Sequence, residues 1–439
     1  MIARVIVLRR IGMIGLSLLI GRLAYLQVWQ GPRYRQLAEQ NRLRLVSQPA
    51  PRGLLTDRTG LAVAANRAVF RVVAVAQDLD DRQAGFSRRS RFVGLSPDEL
   101  ERRFRRNLSR PFLPVVLLHH IDKATVLRLE EDRLSLPGIL VEAVAMRSYP
   151  FGGAAAHLLG YLSQPTAENL PALKPYGVRP NDLVGRTGLE HELDATLRGQ
   201  PGGSLVEVNS LGRKVRTIGY REPTPGGTVA LTLDMGLSRL IQEQFGEQAG
   251  ACVILHPHTG AVLAMVSVPD FDPAVFGAQD TRAIHTLLND SRSPLLNRAT
   301  LGVYLPGSIA KLVTAAVGLE RGLITPATSV VCPGFLTIGN RRFHCWKRDG
   351  HGTVTLQEAL MVSCNVFFME QGRRLGLERL RQGWAAVGLG RQTGWFLPEQ
   401  PGHLPTGRRL SEGDIALLAI GQGPLLITPL QAAVMVSAI

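Results

Sequence analysis

A chain of 439 residues is too long for one hydrophobic core, so at least two folded units are expected. Its 45% apolar and 6% aromatic content excludes global disorder, and four cysteines exclude a disulfide-built scaffold. The formal charge of +15 suits a surface that meets an anionic polymer or lipid, or arginines spread over solvated faces; no basic and aromatic stripe points to nucleic acid.

Arg4, Arg9 and Arg10 precede an apolar run, Ile11 to Val28, whose one charge is Arg22. As a helix this run spans roughly 27 Å at ~1.5 Å per residue, close to the hydrocarbon thickness of a bilayer. Arg22 lies near the far end, where its side chain reaches the headgroups, and Tyr25 and Trp29 fall at the outer interface. The leading arginines predict a cytoplasmic amino terminus and an exported remainder. No small-x-small site follows the run, so an uncleaved anchor is expected rather than a signal peptide.

Residues 31–44, GPRYRQLAEQNRLR, predict a polar helix leaving the membrane. Asp57–Gly60, DRTG, reads as a turn between short strands. The pattern predicts charged helix over 78–136, further helices over 152–170 and 184–197, and a strand pair over 205–219. The Pro/Gly-rich stretch 221–227, REPTPGG, marks a boundary. The expected organisation is an anchor over 1–30, an elongated mixed domain over 31–227 and a second domain over 228–439. In the latter, 233–246 predicts an amphipathic helix, and 251–273 predicts two apolar strands around His258-Thr259-Gly260.

Candidate chemistry begins in YLPGSIAKLVTAAVGLERG, residues 304–322. Pro306 and Gly307 break the chain before an apolar helical run, which puts Ser308 at a helix start. Lys311, three residues on, shares its face. A neutral lysine there can take the serine proton and so activate a nucleophile for acyl transfer, which arginine cannot do. The chain's lysines are Lys123, Lys174, Lys214, Lys311 and Lys347, and Lys311 alone follows a serine at this spacing. Taken singly, the pair is a weak pattern that is better described as a capping serine and a solvated lysine. Ser363-Cys364-Asn365 is the only Ser-x-Asn in the chain and lies well downstream.

Together, Ser308-x-x-Lys311 and Ser363-x-Asn365 resemble the paired motifs of the penicillin-binding protein and serine β-lactamase superfamily. The resemblance implies Ser308 as nucleophile, Lys311 as base, Ser363 as a proton shuttle and Asn365 as a substrate-peptide ligand. It runs along the chain. Residues 34–66 look like the juxtamembrane entry of class B penicillin-binding proteins, 185–216 like their pedestal, and 421–433, GQGPLLITPLQAA, like the stretch before their third motif. CWKRDGHG, residues 345–352, is most similar to the cell-elongation members, with the division homologue the nearest rival.

The implied fold is α+β: a transmembrane helix, an elongated dimerisation-type pedestal, and a β-lactamase-like transpeptidase domain. The implied activity is D,D-transpeptidation of peptidoglycan stem peptides through a serine acyl-enzyme, with β-lactams as trapping mimics and no cofactor for catalysis. Implied partners are a glycosyltransferase and elongation-complex membrane proteins. A non-catalytic scaffold recruiting a glycan polymerase is the alternative from another class, and a β-lactam sensor or hydrolase is a third. Two departures stand out. Ile309-Ala310 replaces the family's usual pair inside the first motif, and no Lys-Thr-Gly occurs. That third motif supplies an oxyanion-hole donor worth about 3 kcal/mol, so residues 1–439 are expected to be a truncated transpeptidase that does not itself turn over.

Cys332, Cys345, His351 and Cys364 follow the spacing C-x12-C-x5-H-x12-C. Three thiolates and an imidazole are a structural zinc set, and the resemblance to elongation-type members implies zinc at matching places, where some of those members have carboxylates at the first two positions. A Cys332–Cys345 disulfide and buried free thiols are the competing readings.

Overall fold

The computed structural model describes residues 2–33, 43–79, 95–108, 113–132, 136–173, 177–180, 182–209, 214–405 and 410–439. The side chains of Arg4, Arg9 and Arg10, and most of the polar helix predicted over 31–44, lie outside the described residues. Helix α1 (Ile2–Ala24) continues through a π turn, Tyr25–Trp29. Its stretch Gly12–Trp29 is long and apolar enough to cross a membrane and is unburied throughout.

By contact the chain forms two compact units. One comprises Met1–Gly53, Asn66–Met146 and Arg198–Gly227; the other comprises Leu54–Ala65, Arg147–Leu197 and Thr228–Ile439. Strand β1 (Leu43–Gln48) precedes β2 (Leu55–Thr56) and the long β3 (Ala62–Val75). The predicted Asp57–Gly60 turn joins β2 to β3. The Asp57 carboxylate accepts from the N–H of Thr59 (2.8 Å) and Leu61 (3.0 Å) and from the Thr59 hydroxyl (2.7 Å), so the turn satisfies its own polar groups.

The stretch 78–136 departs from the helical expectation. Helix α2 (Pro97–Asn107) starts at a Ser96 cap and α3 (Lys123–Glu131) at an Asp122 cap, but Pro114–Ile121 between them is strand β4. PVVLLHHI is a short apolar run, and antiparallel pairing with β3 decides its state over the charge pattern around it. Val72, Ala74, Leu100, Phe104, Val115 and Leu129 make the core beneath. After β5 (Ile139–Ser148), the predicted helix 152–170 is also absent. Gly152 and Gly160 take φ of 56° and 76°, leaving one helical turn at Ala156–Leu159 and strand β6 (Leu162–Ser163). Strand β7 (Val184–Gly185) pairs with β6, and helical turns follow at Gly188–Glu192 and Asp194–Leu197. The expected strand pair is present: β8 (Gly202–Val208) and β9 (Lys214–Arg221) run antiparallel, with β1 on the other side of β8.

In the second unit β10 (Val229–Ala230) lies parallel to β2. Helix α4 (Met235–Phe245), capped by Asp234, is the predicted amphipathic helix. Antiparallel β11 (Gly250–Leu255) and β12 (Val262–Val268) are the two apolar strands. A buried ion pair, Arg147 Nε to Glu190 Oε1 at 2.6 Å, lies in the same unit. After helices Ala274–Gly277 and Thr281–Asn289, the chain enters α5 (Ala310–Glu320) and the elements that follow it. These are β13 (Ser329–Cys332), β14 (Phe335–Ile338), β15 (Arg341–His344), β16 (Gly352–Thr355), α6 (Leu356–Met361), α7 (Asn365–Ala386), α8 (Glu412–Leu418) and α9 (Pro429–Ser437). Helix α7 is two helices across a break at Gly376, φ 75°. Trp384 of α7 is buried with Val313 and Val317 of α5, and Gly383 permits the approach, since a Cβ there would lie 2.0 Å from Val317 Cγ2.

Candidate active site

Ser308 occupies a short 3-10 turn, Gly307–Ile309, that feeds α5, and Gly307 has φ 60°. Three contacts fix the turn from behind. The Gly307 N–H donates to the Gly421 carbonyl (2.9 Å), Tyr304 and Ile427 exchange backbone bonds (2.8 and 2.9 Å), and the Thr314 hydroxyl donates to the Ala419 carbonyl (2.8 Å). The segment 419–427 is therefore the backing of the nucleophile turn. Ser308 itself is exposed, whereas Ala310 is buried against Val313 and Leu418.

Ser363 enters from the end of α6. The Ser363 N–H donates to Leu360 O (3.1 Å) and the Cys364 N–H to Ala359 O (2.8 Å). These are the two bonds of a Schellman cap, with Ser363 at the left-handed position usually held by glycine; its φ is 51°. A non-glycine residue there costs of order 1 kcal/mol and persists only where its surroundings hold it. Asn365 then opens α7, and its N–H donates to Cys345 Sγ (3.3 Å).

The four side chains meet. Lys311 Nζ donates to Asn365 Oδ1 (2.7 Å), Ser363 Oγ (2.9 Å) and Ser363 O (2.9 Å). The Ser363 hydroxyl donates to Ser308 Oγ (3.1 Å), so the path from nucleophile to amine runs through Ser363. Lys311 is only 2% exposed. Burial pushes its amine down to about 8, against an upward pull from Cys345 and Cys364. An amine near 8 is poised between proton acceptor and donor at neutral pH.

The cysteine–histidine set also converges. The ligand atoms of Cys332, Cys345, His351 and Cys364 all lie within 4.8 Å of one another. Cys332 Sγ and Cys345 Sγ stand 3.5 and 3.6 Å from His351 Nδ1. Zinc–sulfur and zinc–nitrogen bonds of about 2.3 and 2.0 Å give a tetrahedron with S···N edges of about 3.5 Å, so the donor set fits zinc in chemistry and size. All four cysteines of the chain are free thiols, so the Cys332–Cys345 disulfide is not formed. Burial raises the Cys345 thiol, but N–H groups of Asn365, Lys347 and Val366 outweigh it and hold the thiol below its usual value. Burial lowers His351, helped by Lys347 and Lys311, which favours the neutral imidazole that a metal needs. Gly350 lets the His351 loop close: its φ is 78°, and a Cβ there would lie 2.2 Å from Cys332 O.

Sequence reasoning placed all eight of these residues in two clusters that do form. It missed Gly421 behind Ser308, and it missed Trp346. The Trp346 indole N–H donates to Val362 O (3.0 Å), and its ring meets the His351 ring edge-on at 5.3 Å. The signals for Trp346 were its place beside Cys345 and within the CWKRDGHG stretch.

A turn-borne serine, a buried lysine and a Ser-x-Asn turn in one hydrogen-bonded cluster define a serine acyltransferase site of the β-lactamase-like kind. The penicillin-binding protein dimerisation domain matches residues 47–231, and the penicillin-binding protein transpeptidase domain matches residues 250–439. The chain belongs to the penicillin-binding protein transpeptidase family. Among its relatives, the peptidoglycan D,D-transpeptidase MrdA of Escherichia coli K12 is 32% identical over 94% of this chain and 68% of that protein. MrdA of Acinetobacter baumannii is 30% identical over 96% and 65%. The chain thus spans about two thirds of the length of these relatives. Penicillin-binding protein 2 of Helicobacter pylori, solved in complex with MreC, superposes with TM-score 0.77 at 28% identity, over 89% of this chain and 75% of that one. A chain of a peptidoglycan synthase complex that coordinates polymerization and crosslinking superposes at 0.69 with 32% identity, over 99% and 77%.

Proposed function

We propose that the protein is an elongation-type peptidoglycan D,D-transpeptidase. The observation that carries this is the Ser308–Ser363–Lys311–Asn365 hydrogen-bonded cluster, supported by likeness to the MrdA proteins. Ser308 Oγ attacks the carbonyl between the two terminal D-alanines of a stem peptide, and its proton passes through the Ser363 hydroxyl to neutral Lys311. The tetrahedral intermediate expels D-alanine, which leaves with that proton and an ester on Ser308. An amine of a neighbouring stem then attacks the ester carbonyl, the bond from that carbon to Ser308 Oγ breaks, and the amine's proton returns through Lys311 and Ser363 to the Ser308 oxygen, which completes the cross-link. Asn365 donates its amide N–H2 to the peptide while its Oδ1 holds Lys311. A β-lactam enters the same route but keeps its leaving amine tethered, so the acyl-enzyme persists.

The Gly12–Trp29 helix anchors the chain with its amino terminus in the cytoplasm and both units exported. An MreC-type scaffold and a glycan polymerase are the proposed partners, by likeness to the solved complexes. Cys332, Cys345, His351 and Cys364 would hold a structural zinc, which would tie the Cys332 and Cys345–His351 segments to the second motif and supply no chemistry to the acyl transfer. The test is labelling of the full-length protein with a fluorescent penicillin, with the adduct mapped by mass spectrometry. An adduct on Ser308, lost in Ser308→Ala, supports the reading; an adduct elsewhere, or none, refutes it. Metal analysis of the purified protein and of Cys345→Ala tests the zinc, and a metal-free wild type removes it.

A further inference from the structure

The Schellman cap that presents Ser363 has one unusual support. A helix cap leaves its last carbonyls pointing outward, normally to water. Here the carbonyl of Val362, which belongs to the peptide joined to Ser363, accepts the Trp346 indole N–H at 3.0 Å. Trp346 is one residue beyond Cys345, whose sulfur accepts the Asn365 N–H. Its ring rests edge-on against His351, 5.3 Å between centroids. Yet Trp346 is 63% exposed, so it does not serve as a core residue. Met361, on the same turn as Val362, is 78% exposed and leaves this edge of α6 otherwise uncovered. One side chain therefore spans the Cys345–His351 loop and the peptide that sets the direction of the Ser363 hydroxyl.

We infer that Trp346 is a positioning residue for acyl transfer: its indole N–H fixes the Val362–Ser363 peptide and so aims Ser363 between Ser308 and Lys311. The inference rests on the transpeptidase reading above and adds to it a residue outside the two motifs. Without the bond, the Val362–Ser363 peptide is held only by its Ser363 N–H to Leu360 O, and tilting of that peptide carries the Ser363 hydroxyl out of line with Lys311. The non-covalent approach of substrate, which precedes chemistry, is untouched.

The experiment uses the full-length protein and a fluorescent penicillin, separating the dissociation constant of the encounter complex from the first-order acylation constant. Trp346→Phe removes the N–H and keeps a ring against His351. The expected result is an acylation constant lower by roughly tenfold, as for a small misplacement of a reacting group, with the dissociation constant, the melting temperature and the metal content unchanged. An unchanged acylation constant overturns the inference. A weakened dissociation constant alone also overturns it, because the ring would then be a wall of the binding cleft. Loss of metal in Trp346→Phe overturns it as well, since the effect would act through the cysteine cluster. Should Trp346→Phe fail to fold, benzothienylalanine at 346, which replaces N–H by sulfur in the same shape, reads the same two constants. A wild type without acylation, or labelling that survives Ser308→Ala, refutes the transpeptidase reading itself and is recognised before any Trp346 variant is compared.

Discussion

The backing of Ser308 can be tested through one hydrogen atom. Gly421 has φ 73°, and a Cβ added to it would lie 2.1 Å from the Gly307 carbonyl oxygen, 2.6 Å from its nitrogen and 2.8 Å from its carbonyl carbon. Ordinary contact is about 3.5 Å, so Gly421→Ala forces two backbone segments apart by about 1 Å. No flexible side chain is present to absorb the movement, because all three atoms are main chain. The left-handed φ costs about 1 kcal/mol for alanine, and loss of the Gly307–Gly421 hydrogen bond costs about 1 kcal/mol more. Gly421→Ala should therefore lose about 2–3 kcal/mol of stability once strain is added. A shift of about 1 Å at Ser308 should slow acylation by about 100-fold. Gly423→Ala is the control. Its φ is 84°, but its Cβ would meet only Leu418 Cδ2, at 3.8 Å. It carries the conformational cost without the clash, so about 1 kcal/mol is lost and acylation stays near wild type. Urea unfolding and penicillin acylation of the full-length variants measure both quantities. Equal behaviour of the two variants would refute the idea that the 419–427 segment positions the nucleophile.

Burial lowers Lys311 to about 8, so its neutral form is scarce below that value and dominant above it. Acylation should rise about tenfold per pH unit between pH ~6 and ~7.5 and level off above ~9; a flat profile would exclude Lys311 as the base. Glu190 is fully buried against Arg147, and Glu190→Ala should cost about 3–5 kcal/mol in denaturant unfolding, with a loss under 1 kcal/mol counting against a tight ion pair. Ser363→Gly and Ser363→Ala both delete the hydroxyl and should both abolish acylation. They differ in backbone: at φ 51°, glycine should be more stable than alanine by about 1 kcal/mol, and equal stabilities would mean the turn is unstrained in solution.

How much of this was legible in the chain depends on which physical rule each feature obeys. Ser308 with Lys311 was ambiguous from its spacing alone, and became readable with Ser363 and Asn365 because the two motifs together resemble those of a known superfamily. The convergence of the cysteines and His351 was readable because three thiols and an imidazole at these spacings form a recognisable donor set. The Asp57 turn was readable because aspartate satisfies its own loop. Strand β4 was misread because its state is decided by a partner strand far away in sequence, not by its neighbours. Trp346 stands in the CWKRDGHG stretch that the sequence singles out, but its contact was not legible, because its bond to Val362 joins residues 16 apart across a loop with no period. Gly421 was invisible because a close backbone approach leaves no trace in composition beyond the glycine itself.

One geometric consequence sets how the site should fail. Of the three acceptors around Lys311, two belong to Ser363 and the third to Asn365, two positions on. The hydroxyl that reaches Ser308 is again that of Ser363. A single left-handed turn therefore orients the partner of the nucleophile and the partners of the base together. That turn is strained, and strain of this kind survives only when its neighbours over-determine it. The neighbours are the two cap bonds from α6, the Asn365–Cys345 contact and the Trp346–Val362 bond, which come from two segments, α6 and the Cys345–Trp346 loop. They act on three consecutive peptides of one turn, from Val362–Ser363 to Cys364–Asn365, so their losses should not be additive. The first support removed should carry most of the loss in acylation, and a second removal should add little, as for residues that work as one unit.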